Sequence, residues 1–372
     1  MIGNRKKLIV MFYSMLFAAL ILSCEDNGED IETTSFDREA MLTHWADNII
    51  IPLHNQFSTS LSNLKSTTAT FVATPNSDNL SQVRLKWIAA YKAWQYIEMY
   101  NVGKAEEIYF FSKMNIYPSN TERITLNISS TVYDLENANN NAARGFPALD
   151  YMLYGIDATD DLILQKYIGD VKYGTYLTDL VDAMVLNTET VVNDWNGSYR
   201  ATFISSTENN ATSSINKLIN DFIYYYEKGF RSNKIGIPAG VFSGAALSKN
   251  VEGYYSRIYS KELVLEAYKG IETFFTGKLN GATVMQGLSL SDYTDHMEGN
   301  PEEKLSAAIL AQFERAKTKI NELDSNLVSQ VESDNSEMLL TFDELQKAVI
   351  LLKVDMLRAI SINADYVDAD GD

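Results

Sequence analysis

Residues 80–97 read LSQVRLKWIAAYKAWQYI. Leu80, Val83, Trp87, Tyr91, Trp94 and Ile97 recur at steps of three and four, so an α-helix of 3.6 residues per turn brings them to one face. No glycine or proline interrupts the run. The helix is expected to end near Asn101-Val102-Gly103, where glycine can take the left-handed turn of a C-cap. Upstream, Asp37 is a plausible N-cap. Met41, Trp45, Ile49, Leu53 and Phe57 follow at four-residue steps, and Leu61 and Leu64 continue the stripe. Pro52 should kink or divide that helix, since it lacks the amide that bonds back to the preceding turn. The polar segment TPNSDN, residues 74–79, makes the turn between the two.

The rest of the chain repeats the pattern. Residues 104–143 are irregular, with MNIYPSNT and NANNNAA as loops. A helical region then runs from about Asp160 to Trp195. The stretch GSYRATFISSTENNATSS, residues 197–214, is a polar break and the best domain boundary. Beyond it Ile215, Ile219, Phe222, Tyr226 and Phe230 form another helix face. KIGIPAGVFSGAALS, residues 234–248, should interrupt that helix, and further helices are expected near 260–276, 301–324 and 341–360. No segment alternates like a strand. The expected fold is therefore all-α, two packed helical bundles of four-helix-bundle type over 37–200 and 201–372. AYKAWQYIE (90–98) and AYKGIETFF (267–275) echo each other, as an old duplication would leave them.

The 46% hydrophobic and 22% charged composition is that of a folded chain,. Its first 23 residues are set apart. Arg5, Lys6 and Lys7 precede an apolar run at 8–22 that is short for a membrane span, which reads as a secretory signal. Ile21, Ser23 and Cys24 resemble a lipobox, so Cys24, the only cysteine, should become lipidated after cleavage. Residues 24–36 then form an acidic tether. The expected location is the cell envelope, lipid-anchored to the outer membrane on its periplasmic or surface face. The chain carries a formal charge of −18 before cleavage. Loss of three lysine and arginine residues makes it more negative still, which argues against nucleic acid as a partner.

Several chemistries are absent. There is no HExxH, CxxC, P-loop or GxGxxG, and GVFSG has its serine in the wrong place for a nucleophile elbow. The three histidines, His44, His54 and His296, could meet at a metal only by distant convergence. DADGD at the C-terminus ends before the glutamate of a calcium loop.

Residues 144–155, RGFPALDYMLYG, are different. They resemble the signature segment of imelysin-like proteins, a family named for an insulin-cleaving membrane protease that includes iron-regulated bacterial lipoproteins. The resemblance extends to AYKAWQYIEMYNVGKAEE at 90–107, MNIYPSNT at 114–121, GIPAGVFSGAALSKNVEGYYS at 236–256 and LQKAVILLKVDMLRAIS with the terminal DADGD. It covers nearly all of the chain after the signal and implies two helical bundles. The family motif is GxHxxE. Gly145 matches, but Pro147 stands in the histidine position and Asp150 in the glutamate position. A proline offers neither a lone pair nor an amide, so Asp150 is the one member left that could hold a metal. The local reading is a helix start: Gly145 permits a tight entry, proline suits the first turn, and a first-turn carboxylate suits the helix dipole. Phe146, Leu149, Met152 and Leu153 would then be buried.

The resemblance singles out Trp94, Gln95 and Glu98 beside the motif, with Trp94 expected to be core. Tyr151 belongs to the motif segment. Lys234, Ser243 and Tyr254 flank the glycine-rich stretch that could face the first bundle across a cleft. It also implies binding connected with iron acquisition: an iron species, an iron carrier or an outer-membrane transport partner. A non-catalytic lipoprotein is the leading expectation. The alternatives are a metal-dependent peptidase, as the family name implies, and an accessory glycan- or peptide-binding lipoprotein.

Overall fold

The computed structural model describes residues 35–279, 287–300 and 302–365. The lipobox with Cys24, most of the acidic tether and the terminal DADGD lie outside the described residues. Described residues from Asp37 onward belong to one packed unit. They are helical and contain no strand.

The chain enters with Asp37 accepting the Ala40 amide as N-cap,. Arg38–His44 leads into a π-helical stretch, Trp45–Ile50, and then the long helix α1, Ile51–Ala73. Pro52 does not divide this run. The widened turns just before it bond five residues back, with the Ile51 amide on the Ala46 carbonyl. A place is thereby made for a residue that has no amide to give. Asn76 caps α2, Ser77–Ile97, in which all six residues of the predicted stripe are buried. This helix stops earlier than expected. Gly103 (φ +61°) instead precedes the short helix Lys104–Glu107.

The motif helix α3, Gly145–Asp150, passes into π-turns at Tyr151–Gly155. The predicted 160–195 helix is two, Asp160–Gly169 and α4, Val171–Asp194, with Asp170 capping the second. The polar break is shorter than its composition suggests. Helix continues through Trp195–Tyr199 and Arg200–Ser205 and resumes as α5, Ser214–Tyr224. The π-helical stretch Tyr225–Gly236 and the turn Ile237–Ala239 extend α5 as far as Gly240, whose φ of +85° ends it. The helix therefore ends inside the predicted 234–248 interruption, at Gly240, while Gly236 does not break it. Gly236 lies under the rings of Phe342 and Phe242, where a Cβ would collide at 2.6 Å. The later helices are α6, Ser260–Thr276, then Leu290–Glu298, α7, Leu305–Glu322, Leu327–Ser333, and α8, Ser336–Ile350.

Helices α1, α2 and α4 pack together, as do α7, α8 and the π-helical extension of α5. α2 and α6 join the two groups. They carry the two echoing segments and run parallel: Lys92 reaches Glu262, and one turn on Tyr96 donates to Glu266 at 2.9 Å. Gly270 lets them touch, since a Cβ there would meet the Gln95 carbonyl at 3.0 Å.

Gly145 is the tightest backbone approach in the motif. Its φ is +72°, and a Cβ would lie 2.1 Å from the Met114 carbonyl oxygen. Gly145→Ala is therefore expected to cost about 3 kcal/mol or more, combining a strained φ with a backbone clash. Urea denaturation followed by tryptophan fluorescence measures this, because all four tryptophans are buried.

Candidate functional site

The motif is held by one face of α2. Phe146 stacks on Tyr91 at 4.4 Å, and the Trp87 indole donates to the Phe146 carbonyl. The π-turns that follow leave carbonyls free of the ordinary ladder. Arg84 donates twice to the Leu153 carbonyl while its other edge pairs with Asp160, and Tyr167 donates to the Met152 carbonyl. Phe146, Leu149, Met152 and Leu153 are fully buried, as their spacing predicts.

Asp150 does something other than complement a helix dipole. It is the sixth residue of α3, not part of the first turn, and points at a turn more than a hundred residues away. Its Oδ2 accepts the Tyr255 amide at 2.8 Å and its Oδ1 the Ser256 amide at 2.9 Å. Burial pushes its pKa up to about 7 even though both amides favour the charged form,. The turn it anchors carries Glu252.

Glu252 belongs to a buried ionic network together with three of the predicted residues or their direct neighbours. Lys234, on the π-helical extension of α5, donates to Glu252 Oε2 at 2.7 Å and to Gln95 Oε1 at 2.7 Å. It lies 3.1 Å from Glu98 Oε2. All three ammonium protons thus have an acceptor. Gln95 Nε2 donates to Glu252, and Asn115 Nδ2 donates to both carboxylates at 2.6 and 2.8 Å. Tyr225 donates to Glu98, and Tyr91 donates to Asn115. Glu98, the least covered of Gln95, Glu98, Asn115, Lys234 and Glu252, is 6% exposed. Burial raises the Glu98 pKa, with Glu252 adding to it. Burial works to lower that of Lys234, but the two carboxylates outweigh it and hold the ammonium protonated.

The other predicted residues lie apart from the network. Trp94 is core, against Phe57, Phe110 and Phe146. Tyr151 packs on Tyr255, and Tyr255 on Tyr254. Tyr254, Pro147 and Asp150 line a cavity of about 90 Å³ together with Tyr117, Lys249 and Tyr255. Ser243 is exposed, bonds the nearby Ala245 carbonyl and does not line this cavity. Glu252, Asn115 and Tyr225 were not predicted. The first two stand in segments that match the family, KNVEGYYS and MNIYPSNT, but Glu252 is in a turn and Asn115 just past a short helix, without helical periodicity.

The histidines do not converge. His44 bonds the Gly277 carbonyl and Asn48, and His54 is buried on the Ile50 carbonyl with its pKa lowered to about 4. His296 lies on Leu290–Glu298. Among the described residues no group of three or more His, Cys, Asp or Glu side chains is placed to hold a metal ion. The two carboxylates that come closest to a cation site surround the Lys234 ammonium. What the motif offers chemically is a hydrogen-bonding carboxyl at the wall of a small cavity that Ser119 and Thr121 also line.

The family model of imelysin, peptidase M75, matches residues 50–352. The chain belongs to the imelysin family. No curated protein is significantly similar to it in sequence. Among solved structures it is similar to an imelysin-like protein from Psychrobacter arcticum 273-4. That pair has a TM-score of 0.69 at 19% identity, covering 88% of this chain and 97% of the other. It is also similar to a protein from Parabacteroides distasonis ATCC 8503 described as an iron-regulated protein A precursor. There the TM-score is 0.67 at 16% identity, over 86% and 95%. At these identities the likeness establishes a shared imelysin fold.

Two outcomes are expected. Lys234→Met leaves two buried carboxylates without their cation and should lower stability by roughly 3–5 kcal/mol in urea denaturation. Adding Glu252→Gln to it should recover part of the loss. The second concerns pH. Asp150 binds more protons folded than unfolded between about pH 4 and about pH 7,. Its contribution to stability is therefore fully present below that window and declines as pH rises through it. The wild type should lose more stability than Asp150→Asn between about pH 5 and about pH 8, measured as the shift in denaturation midpoint for each.

Proposed function

We propose that this imelysin-family protein is an exported, lipid-anchored component of the cell envelope. It binds a ligand or partner connected with iron acquisition and does not cleave peptides. The observation that carries the non-catalytic part is the motif itself. Pro147 occupies the histidine position as a buried helix residue, and Asp150 spends an oxygen on each of two backbone amides. The family's own pair of a histidine and a carboxylate is thus not available as a metal site. The cavity beside Asp150 has the polar lining of a small binding site, with Lys249, Ser119 and Thr121 at its edge,.

Support for export comes from the basic and apolar N-terminus ending at Cys24. No helix among the described residues is long and apolar enough to cross a membrane. In this reading attachment comes from a lipid on Cys24. The iron connection rests on the family and on the name of the Parabacteroides relative. The ligand in this reading is an iron species, its carrier or an outer-membrane transport partner.

One observation favours the peptidase alternative. A carboxyl whose pKa is pushed up to about 7 could exchange a proton at neutral pH,. The test incubates the mature protein with unfolded polypeptides and divalent metals, and follows its transcript under iron starvation. No turnover and a rising transcript are expected. Cleavage abolished by Asp150→Ala would establish the peptidase instead, and an unresponsive transcript would remove the iron connection.

A further inference from the structure

A second cavity, of about 260 Å³, opens on the other side of Glu98. It has room for roughly nine waters, and hence for a small organic molecule. Its walls are unusual in two ways. The first is aromatic. Tyr109, Phe111, Tyr224 and Tyr225 surround it. Tyr109 is 76% exposed and held at φ +56°, and Tyr224 on α5 is 51% exposed. A tyrosine in left-handed backbone is sterically disfavoured, and such positions persist where the surroundings enforce them, often at ligand sites. Here the strained residue presents its ring at the cavity.

The second is electrostatic. Asp221, one turn before Tyr225, lines the cavity, and no described residue hydrogen-bonds to its carboxylate. Burial, together with the negative charges of Glu106 and Asp365, pushes its pKa up to about 8, and Lys217 offsets this only in part. Lys228 also lines the cavity, and its ammonium pairs with Glu227 at 3.0 Å. On the inner side the cavity reaches Glu98, whose ammonium partner sits behind it in the buried network. Among the described residues the Asp221 carboxylate thus accepts no hydrogen bond, and it shares the cavity wall with four aromatic side chains. Ring faces attract cations through their quadrupole, and an under-compensated carboxylate does so through charge.

We propose that this cavity is a binding site for a small organic cation, an amine carried on an aromatic or apolar body, with Asp221 receiving the ammonium and Tyr109 covering the body. It is independent of the Asp150 cavity and of any connection with iron.

The test uses the mature protein with tyramine and its neutral counterpart 4-ethylphenol, titrated by ligand-observed NMR at mildly alkaline pH, where Asp221 is ionised. Tyramine should bind at least about tenfold more tightly than 4-ethylphenol. Asp221→Asn should abolish that preference while leaving 4-ethylphenol binding unchanged. Tyr109→Leu, with its fold checked by circular dichroism, should weaken both ligands severalfold. Equal binding of the two compounds, no binding of tyramine, or a preference that survives Asp221→Asn in a folded variant would each overturn the proposal.

Discussion

Lys234 lies between Glu98 and Glu252 with no water-exposed face, and the rest of the molecule has to be arranged around that fact. An ammonium and two carboxylates can be taken out of water only if every proton and lone pair finds a partner and the three stay within hydrogen-bonding reach. The groups that meet this demand come from α2, from the π-helical extension of α5, from the end of a short helix at Asn115 and from the turn at Glu252. None of these segments is a sequence neighbour of the others. Their convergence requires α5 to continue as helix past Gly229 as far as Lys234.

The family motif serves the same assembly in this chain. Asp150 accepts two amides of the turn after Glu252, so it positions Glu252 without touching it. Gly145 brings the motif helix against Met114, one residue before Asn115. In the alignment that the imelysin resemblance implies, Pro147 stands in the histidine position, and here it is a buried helix residue. The surviving carboxyl acts as a structural acceptor with one side facing a cavity.

Much of the fold was legible because burial on helices leaves a periodic trace. The stripe from Leu80 to Ile97, the cap at Asp37 and the face from Ile215 to Phe230 are all found as read. The misreadings occur where a local signal was answered by distant packing. Pro52 lies in a continuous run because π-turns precede it. Gly236 lies inside a helical stretch because Phe342 covers it. Helices Leu290–Glu298 and Leu327–Ser333 are too short for a convincing period. In the site, Gln95 and Glu98 were legible as polar residues on an apolar, family-matching helix, and Lys234 only as a flank of the glycine-rich stretch. Glu252 sits in a turn and Asn115 just past a short helix, where a carboxylate or amide looks like ordinary solvated surface.

By itself, then, the sequence determined the class of fold and the family, because both are written in residue identity and short-range spacing. Which charged groups meet, and with what partners, was decided only in three dimensions. Lys234 and Glu98 are separated by well over a hundred residues, and no spacing rule specifies their 3.1 Å approach. The same is true of Asp150, whose sequence position suggested a helix dipole and whose tertiary partners are two amides from the other half of the chain.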